Sequence, residues 1–355
     1  MVPHMGRFSA ADHPRDPSGR WTHKNTPAGP DRLSDLAAQT DPASRTVDMA
    51  VRYELAGDPD PGVRRVVAGN PSTPPGTLTR LAADPNAGVR RVVARNPHSP
   101  LELLAVLAAD PDRDVRWSVA GNPNSPAGAL AALAADPEPE VRRDVAQHPG
   151  TPPATLAVLA ADPDKDVRLL VANNLNTPPD TLTALANDTD DDTAVRVRVA
   201  GNPHSPPDTL AVLAADPNPG VRRAVARNPG TPADVLTHLA ADPDEFVRRS
   251  VAGNPNTPTA TLTALAADNN HWVRLHVALN PNTPPETLTA LAEDPEDPAE
   301  AWDAFVRQGV AGNPNTPPEA LTVLAAHPDD TVRAAALVNP NLPAAGRAAG
   351  GLLAD

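Results

Sequence analysis

The sequence predicts an all-α fold, a solenoid of two-helix units that repeat every 26 residues, on three observations. A valine–arginine pair recurs at that interval, each unit carries two proline-marked helix starts, and the apolar residues are mostly Ala, Val and Leu. Aligning the chain on the pair gives Val63, Val89, Val115, Val141, Val167, Val195, Val221, Val247, Val273, Val306 and Val332. Most steps are 26; one of 28 carries extra acidic residues around Asp190 to Thr193, and one of 33 carries Glu296 to Ala304. Both read as loop insertions that leave the frame intact. A periodic chain of this kind stacks unit on unit into a superhelix.

Each unit reads approximately DPxxxVRRxVAxNPxTPPxTLxxLAA. Asp before proline, as at Asp84-Pro85, Asp110-Pro111 and Asp242-Pro243, predicts an N-cap acceptor followed by proline at the first helical position. The first helix then runs through Val89 to Ala94 and stops at Asn96-Pro97, because proline disfavours helical geometry before it and asparagine tolerates a left-handed cap. Thr or Ser before proline, as at Thr73-Pro74, Ser99-Pro100, Thr151-Pro152 and Thr283-Pro284, predicts the cap of a second helix. Its Leu-x-x-Leu spacing, as at Leu78 and Leu81 or Leu104 and Leu107, gives it one buried face.

The composition suits this architecture and excludes others. Of 355 residues 40% are hydrophobic but only 2% aromatic, so the core must be thin layers of small side chains. The 46 prolines are periodic, which argues against a disordered reading. A net charge of -14 opposes attraction to nucleic acid or anionic lipid over the whole surface, leaving local basic stripes open. With no cysteine, thiolate chemistry and Cys-ligated metals are excluded, and a reducing cytoplasm is the expected setting. No apolar run approaches the ~20 residues of a membrane span, so no membrane partner is expected. Lysine occurs only at Lys24 and Lys165, and the abundance of Ala, Pro, Arg, Asp and Gly looks like the coding bias of a high-GC bacterium.

The repeat resembles the leucine-rich repeat variant family over roughly residues 58 to 343. That resemblance implies a right-handed superhelix of short α-helices alternating with 3₁₀ helices, the second helix of each unit being the 3₁₀-like one. The six-residue step from Asp to Arg, as from Asp84 to Arg90, is also similar to HEAT repeats, whose Asp and Arg bond along the stack. Family members can carry a cysteine-rich iron–sulfur segment; the cysteine-free sequence cannot, and no cofactor is expected.

The expected organisation is a disordered segment 1–25, a degenerate N-terminal capping repeat 26–57 that includes Leu33, Leu36 and Ala37, a solenoid of about eleven repeats over 58–343, and a frayed tail 344–355. Catalytic chemistry is not indicated. His98 and His204 sit in the loop before the serine, His271 and His276 are five apart rather than on one helical face, and the carboxylates gather at helix starts. No metal site is expected from these spacings. Arginine after the reference valine and asparagine before proline recur in nearly every unit, as a structural ladder would. His148 alone replaces that asparagine.

Variation between units should mark function. At about 100° per residue, the positions one before, two after and six after the reference valine share the side opposite the core. They hold Phe246, Trp272 and Phe305; Arg91, Trp117, Arg223, Arg249 and Leu275; and Arg95, Arg227 and Leu279. The leading expectation is a non-enzymatic scaffold that holds a protein or peptide on this stripe, with the aromatics as anchors. The alternative is a nucleic-acid-binding helical-repeat protein that uses the variable-face arginines.

Overall fold

The computed structural model describes residues 51–187, 193–293 and 303–344. Among them are only helices and their connections. First helices run from Pro61–Gly69, Ala87–Arg95 and Arg113–Ala120 through to His271–Leu279, Asp303–Gly312 and Asp330–Val338. Second helices run from Pro75–Leu81 and Leu101–Leu107 through to Pro285–Glu293 and Pro318–Leu324. Most second helices have seven residues, too few to be stable alone, so packing must hold them. They are α-helical, as Leu78 N–H to Pro74 O and Ala82 N–H to Leu78 O show, with shorter 3₁₀-type spans only at the ends, such as Thr77 N–H to Pro74 O. No described helix is long and apolar enough to cross a membrane.

The core follows the expected pattern. In the second unit Val89, Val93, Ala94, Leu104 and Leu107 are buried, and the same positions are buried in the units around it. Each fully buried Val or Leu contributes roughly 1.5–3 kcal/mol. Consecutive first helices are the closest neighbours in the molecule, whereas consecutive second helices stand farther apart. The first-helix layer is therefore the closely spaced side of the stack.

The cap assignments need correction. Asp84 does not cap the helix after it. Its Oδ1 accepts from Asn86 N–H at 2.9 Å, and the helix Ala87–Arg95 starts two residues later, with Asn86 Oδ1 accepting from Gly88 N–H at 2.8 Å. The aspartate is held by Arg64 of the preceding unit, a partner with which a cap would have to compete. Where proline does stand at the first helical position, it is Pro61, Pro139 or Pro219, two residues after the Asp-Pro proline. Thr73 does not cap the second helix either: its Oγ1 donates to Val67 O at 2.5 Å, tying down the last turn of the first helix. The capping position is Pro74, whose carbonyl receives the opening N–H groups. Asn96 closes the first helix in an extended conformation, φ -67° and ψ 124°, as the following proline demands, and not in the left-handed one.

Aspartates expected as caps serve a ladder along the stack instead. Arg64, Arg90, Arg116, Arg142, Arg222 and Arg248 each bridge two units: Arg116 donates to Asp110 O in its own unit and grips Asp136 of the next, Nε to Oδ2 at 2.6 Å. Asn122 Nδ2 donates to Ala94 O at 2.6 Å and Asn96 O at 3.1 Å, and Asn124 Nδ2 adds a bond to Pro97 O at 2.7 Å. His148 imitates the asparagine by donating from Nε2 to Asn122 O and accepting Gly150 N–H at Nδ1, both at 2.9 Å. The asparagine and arginine ladders are those expected; the second asparagine ladder was overlooked, although Asn-Pro-Asn recurs at Asn124, Asn256, Asn282 and Asn315.

At the N-terminal edge, buried Arg52 donates to Ser72 O at 2.6 Å and Arg80 lies over the Tyr53 ring. The expected segment 1–25, the residues Leu33, Leu36 and Ala37, most of both insertions and the tail from 345 lie outside the described residues.

Candidate functional site

The variable positions come together by a simple register. The residue two after the reference valine of one unit meets the residue before the reference valine of the next. Arg91 thus lies 3.7 Å from Asp114, and Arg143 lies 2.9 Å from Asp166 and 2.7 Å from Asp164. Farther along the same register yields rings: the Arg223 guanidinium sits 5.6 Å from the Phe246 ring centre, and that of Arg249 sits 5.8 Å from the Trp272 ring centre. Such contacts contribute about 0.5–1 kcal/mol each at exposed sites.

A second register lies beside it. The residue three after the valine packs beneath the preceding unit's position six after. A Cβ added to Gly253 would lie 3.3 Å from His276 Cδ2, and one added to Gly309 would lie 3.1 Å from Leu275 Cδ1 and 3.5 Å from Leu279 Cδ2. Gly309 therefore leaves the space in which these leucines rest. Leu275 is half-buried by this packing, while Leu279 stays exposed. Sequence reasoning missed this position, because on the helical wheel it falls between the core and the open stripe. Its variation from Asp144 to Arg198 to His276 was the available signal.

The expected aromatics do form the open stripe: Phe246 is 47% exposed, Trp272 37% and Phe305 47%, on three consecutive first helices. Leu275, Leu279, Arg223, Arg227 and Arg249 lie on the same run of units. Arg91, Arg95 and Trp117 lie on the equivalent stripe far toward the N-terminus, some six units away, or roughly 50 Å at about 8–10 Å per packed helix. Trp117 lines a different cavity of about 410 Å³ with Asp114, Glu138, Glu140 and Asp144. Burial pushes the Asp144 carboxyl up, against hydrogen bonds from Gln147 and Trp117.

Electrostatically the stripe changes sign along its length. Arg91 and Arg143 are met by carboxylates, whereas Arg223, Arg227 and Arg249 have no ion-pair partner among the described residues. His276 Nδ1 donates to Trp272 O at 2.8 Å. Burial lowers its pKa, the Trp272 carbonyl opposes, and Arg249 lowers it further. No group of three or more potential metal ligands occurs among the described residues.

The profile of the leucine rich repeat variant matches residues 61–86, 113–138, 139–164, 166–190, 219–244, 245–269, 271–296 and 304–329, more than half of the chain. A solved structure described as a leucine-rich repeat variant with a novel repetitive motif is 30% identical, with a TM-score of 0.46, over 61% of this chain and 88% of its own. An engineered protein is 18% identical with a TM-score of 0.32, covering 86% of this chain and 96% of its own. Yeast importin-beta (Kap95p) is 12% identical with a TM-score of 0.39, covering 86% of this chain and 51% of its own. No curated protein matches.

Proposed function

The chain belongs to the leucine-rich repeat variant family, and from that premise we propose that it is a non-catalytic scaffold holding a protein or peptide along the open stripe of its first helices. A stacked array enlarges contact area while each unit is free to vary its exposed residues.

The observation that carries this reading is the exposure of Phe246, Trp272 and Phe305 on consecutive helices of a chain that is only 2% aromatic. Exposed rings beside Leu279 cost solubility unless a partner covers them, and aromatic residues dominate binding hot spots. The alternative, nucleic acid on the arginine-bearing helices, draws on the guanidinium groups of Arg223 and Arg227, which line one cavity and have no ion-pair partner among the described residues.

The test is affinity capture with the full chain, with and without nuclease, comparing wild type with Trp272→Ala. The scaffold reading expects a bound protein that survives nuclease and is lost with Trp272. Material that disappears with nuclease supports the alternative, and capture unaffected by Trp272→Ala removes the aromatic stripe as the site.

A further inference from the structure

Two cavities on the first-helix side run into one another. One of about 640 Å³ is lined by Arg198, Arg223 and Arg227 with Leu175 and Val197; another of about 300 Å³ is lined by Arg223, Arg227, Arg249 and His276. They share Arg223 and Arg227, so they form one groove across the helices Ala194–Gly201, Pro219–Arg227 and Glu245–Gly253. No carboxylate among the described residues lines either, in a chain of net charge -14.

We infer that this groove receives a short acidic peptide segment in extended form, with carboxylates on Arg198, Arg223, Arg227 and Arg249 and an apolar side chain against Trp272. The inference rests on the proposed scaffold reading and names the partner's chemistry. Its basis is charge complementarity produced by the register. Where the residue before the reference valine is acidic, as at Asp114 and Asp166, the arginine of the previous unit is neutralised. Where it is Phe246 or Trp272, the arginine is steadied on a ring and keeps its charge for a ligand. A guanidinium held in this way loses less freedom on binding and offers a planar fork to a carboxylate. Leu175, 62% exposed, adds an apolar contact at one end of the groove, and beyond Arg249 at the other end stands the Trp272 ring on which that arginine rests.

The dimensions select a peptide over nucleic acid. Three helices at about 8–10 Å spacing give a groove roughly 20–30 Å long, which matches about six to eight extended residues. On its N-terminal side the same stripe carries Asp114, Glu140 and Asp166. A polyanion longer than the groove would run onto these carboxylates, whereas a short acidic segment ends before them.

The test uses fluorescence anisotropy with the full chain and a labelled peptide of about ten residues made of Glu interspersed with Leu and Trp. Gln-for-Glu and Lys-for-Glu counterparts and a uridine oligonucleotide of equal length serve as comparisons. The Glu peptide is expected to bind about tenfold more tightly than its Gln counterpart, and to weaken as salt rises. Arg198→Gln and Arg227→Gln should each weaken it severalfold, while Arg95→Gln, at the position equivalent to Arg227 in the second unit, should not. Equal binding of Glu and Gln peptides with dependence on Trp272 would overturn the inference and leave the scaffold reading standing. Tighter binding of the oligonucleotide would overturn it in favour of nucleic acid. Failure of every peptide would overturn the inference; should affinity capture also find no bound protein, the scaffold reading falls with it.

Discussion

Arg90 of one unit holds Asp110 of the next through two near-parallel bonds, Nε to Oδ2 at 2.6 Å and Nη2 to Oδ1 at 2.9 Å, while its Nη1 donates to Asp84 O at 2.8 Å. The side chains are 14% and 5% exposed, so the pair is shielded rather than washed by solvent. Removing one partner strands the other in a poorly hydrated place. Arg90→Ala or Asp110→Ala should each cost about 3–5 kcal/mol, well above the ~1 kcal/mol of a lost helix cap. Urea midpoints of the two single variants check this, and the Arg90→Met, Asp110→Leu double variant should recover much of the loss.

The same ladder sets the acid limit of the fold. Burial would raise the carboxyls of Asp84, Asp110 and Asp242, but hydrogen bonds from Arg64, Arg90 and Arg222, backbone N–H groups and nearby arginine charge together hold them below the ordinary value. A depressed folded-state pKa contributes stability that is present above the unfolded value, near about 4, and is lost as pH falls through the folded value. Asp144, pushed up by burial, works in the opposite direction. Helical circular dichroism should therefore stay level down to about pH 4 and fall below it, with Asp110→Asn flattening part of the transition.

The ladder asparagines from Asn122 onward each satisfy two buried carbonyls of the unit before them. Asn228 Nδ2 donates to Ala200 O at 2.7 Å and Asn202 O at 2.8 Å, and Asn228→Ala leaves both unmet, at a cost of about 1–3 kcal/mol. His148 meets only Asn122 O with its single donor. His148→Asn should be neutral or stabilising, because asparagine restores the second bond to the preceding helix. Thermal midpoints of the two variants measured side by side test the contrast.

Trp272 and Leu262 separate surface from core. Leu262 is fully buried, so Leu262→Ala should cost about 2–5 kcal/mol. Trp272 is 37% exposed, with Arg249 over its ring and the His271 ring 5.2 Å away, so Trp272→Ala should cost less, about 1 kcal/mol. A Trp272 variant as unstable as the Leu262 variant would show that its ring is core, against the geometry.

Much of this protein was legible in its sequence. The period, the two helices per unit, the Val and Leu core and the arginine and asparagine ladders all repeat, and repetition within one chain separates structural positions from variable ones. The aromatic stripe was legible for the same reason, since Phe246, Trp272 and Phe305 share one place in the frame. What the tertiary structure alone decided is which partner each polar group takes. Asp84 and Thr73 look like caps because sequence shows only neighbours within a turn, yet Asp84 is closed by Arg64 from 20 residues before it and Thr73 by the Val67 carbonyl. The charge state of the open stripe was hidden likewise. Arg91 and Arg223 are equivalent in sequence, and only the stacking step sets Asp114 beside one and Phe246 beside the other, giving the first guanidinium a counter-charge and the second a ring.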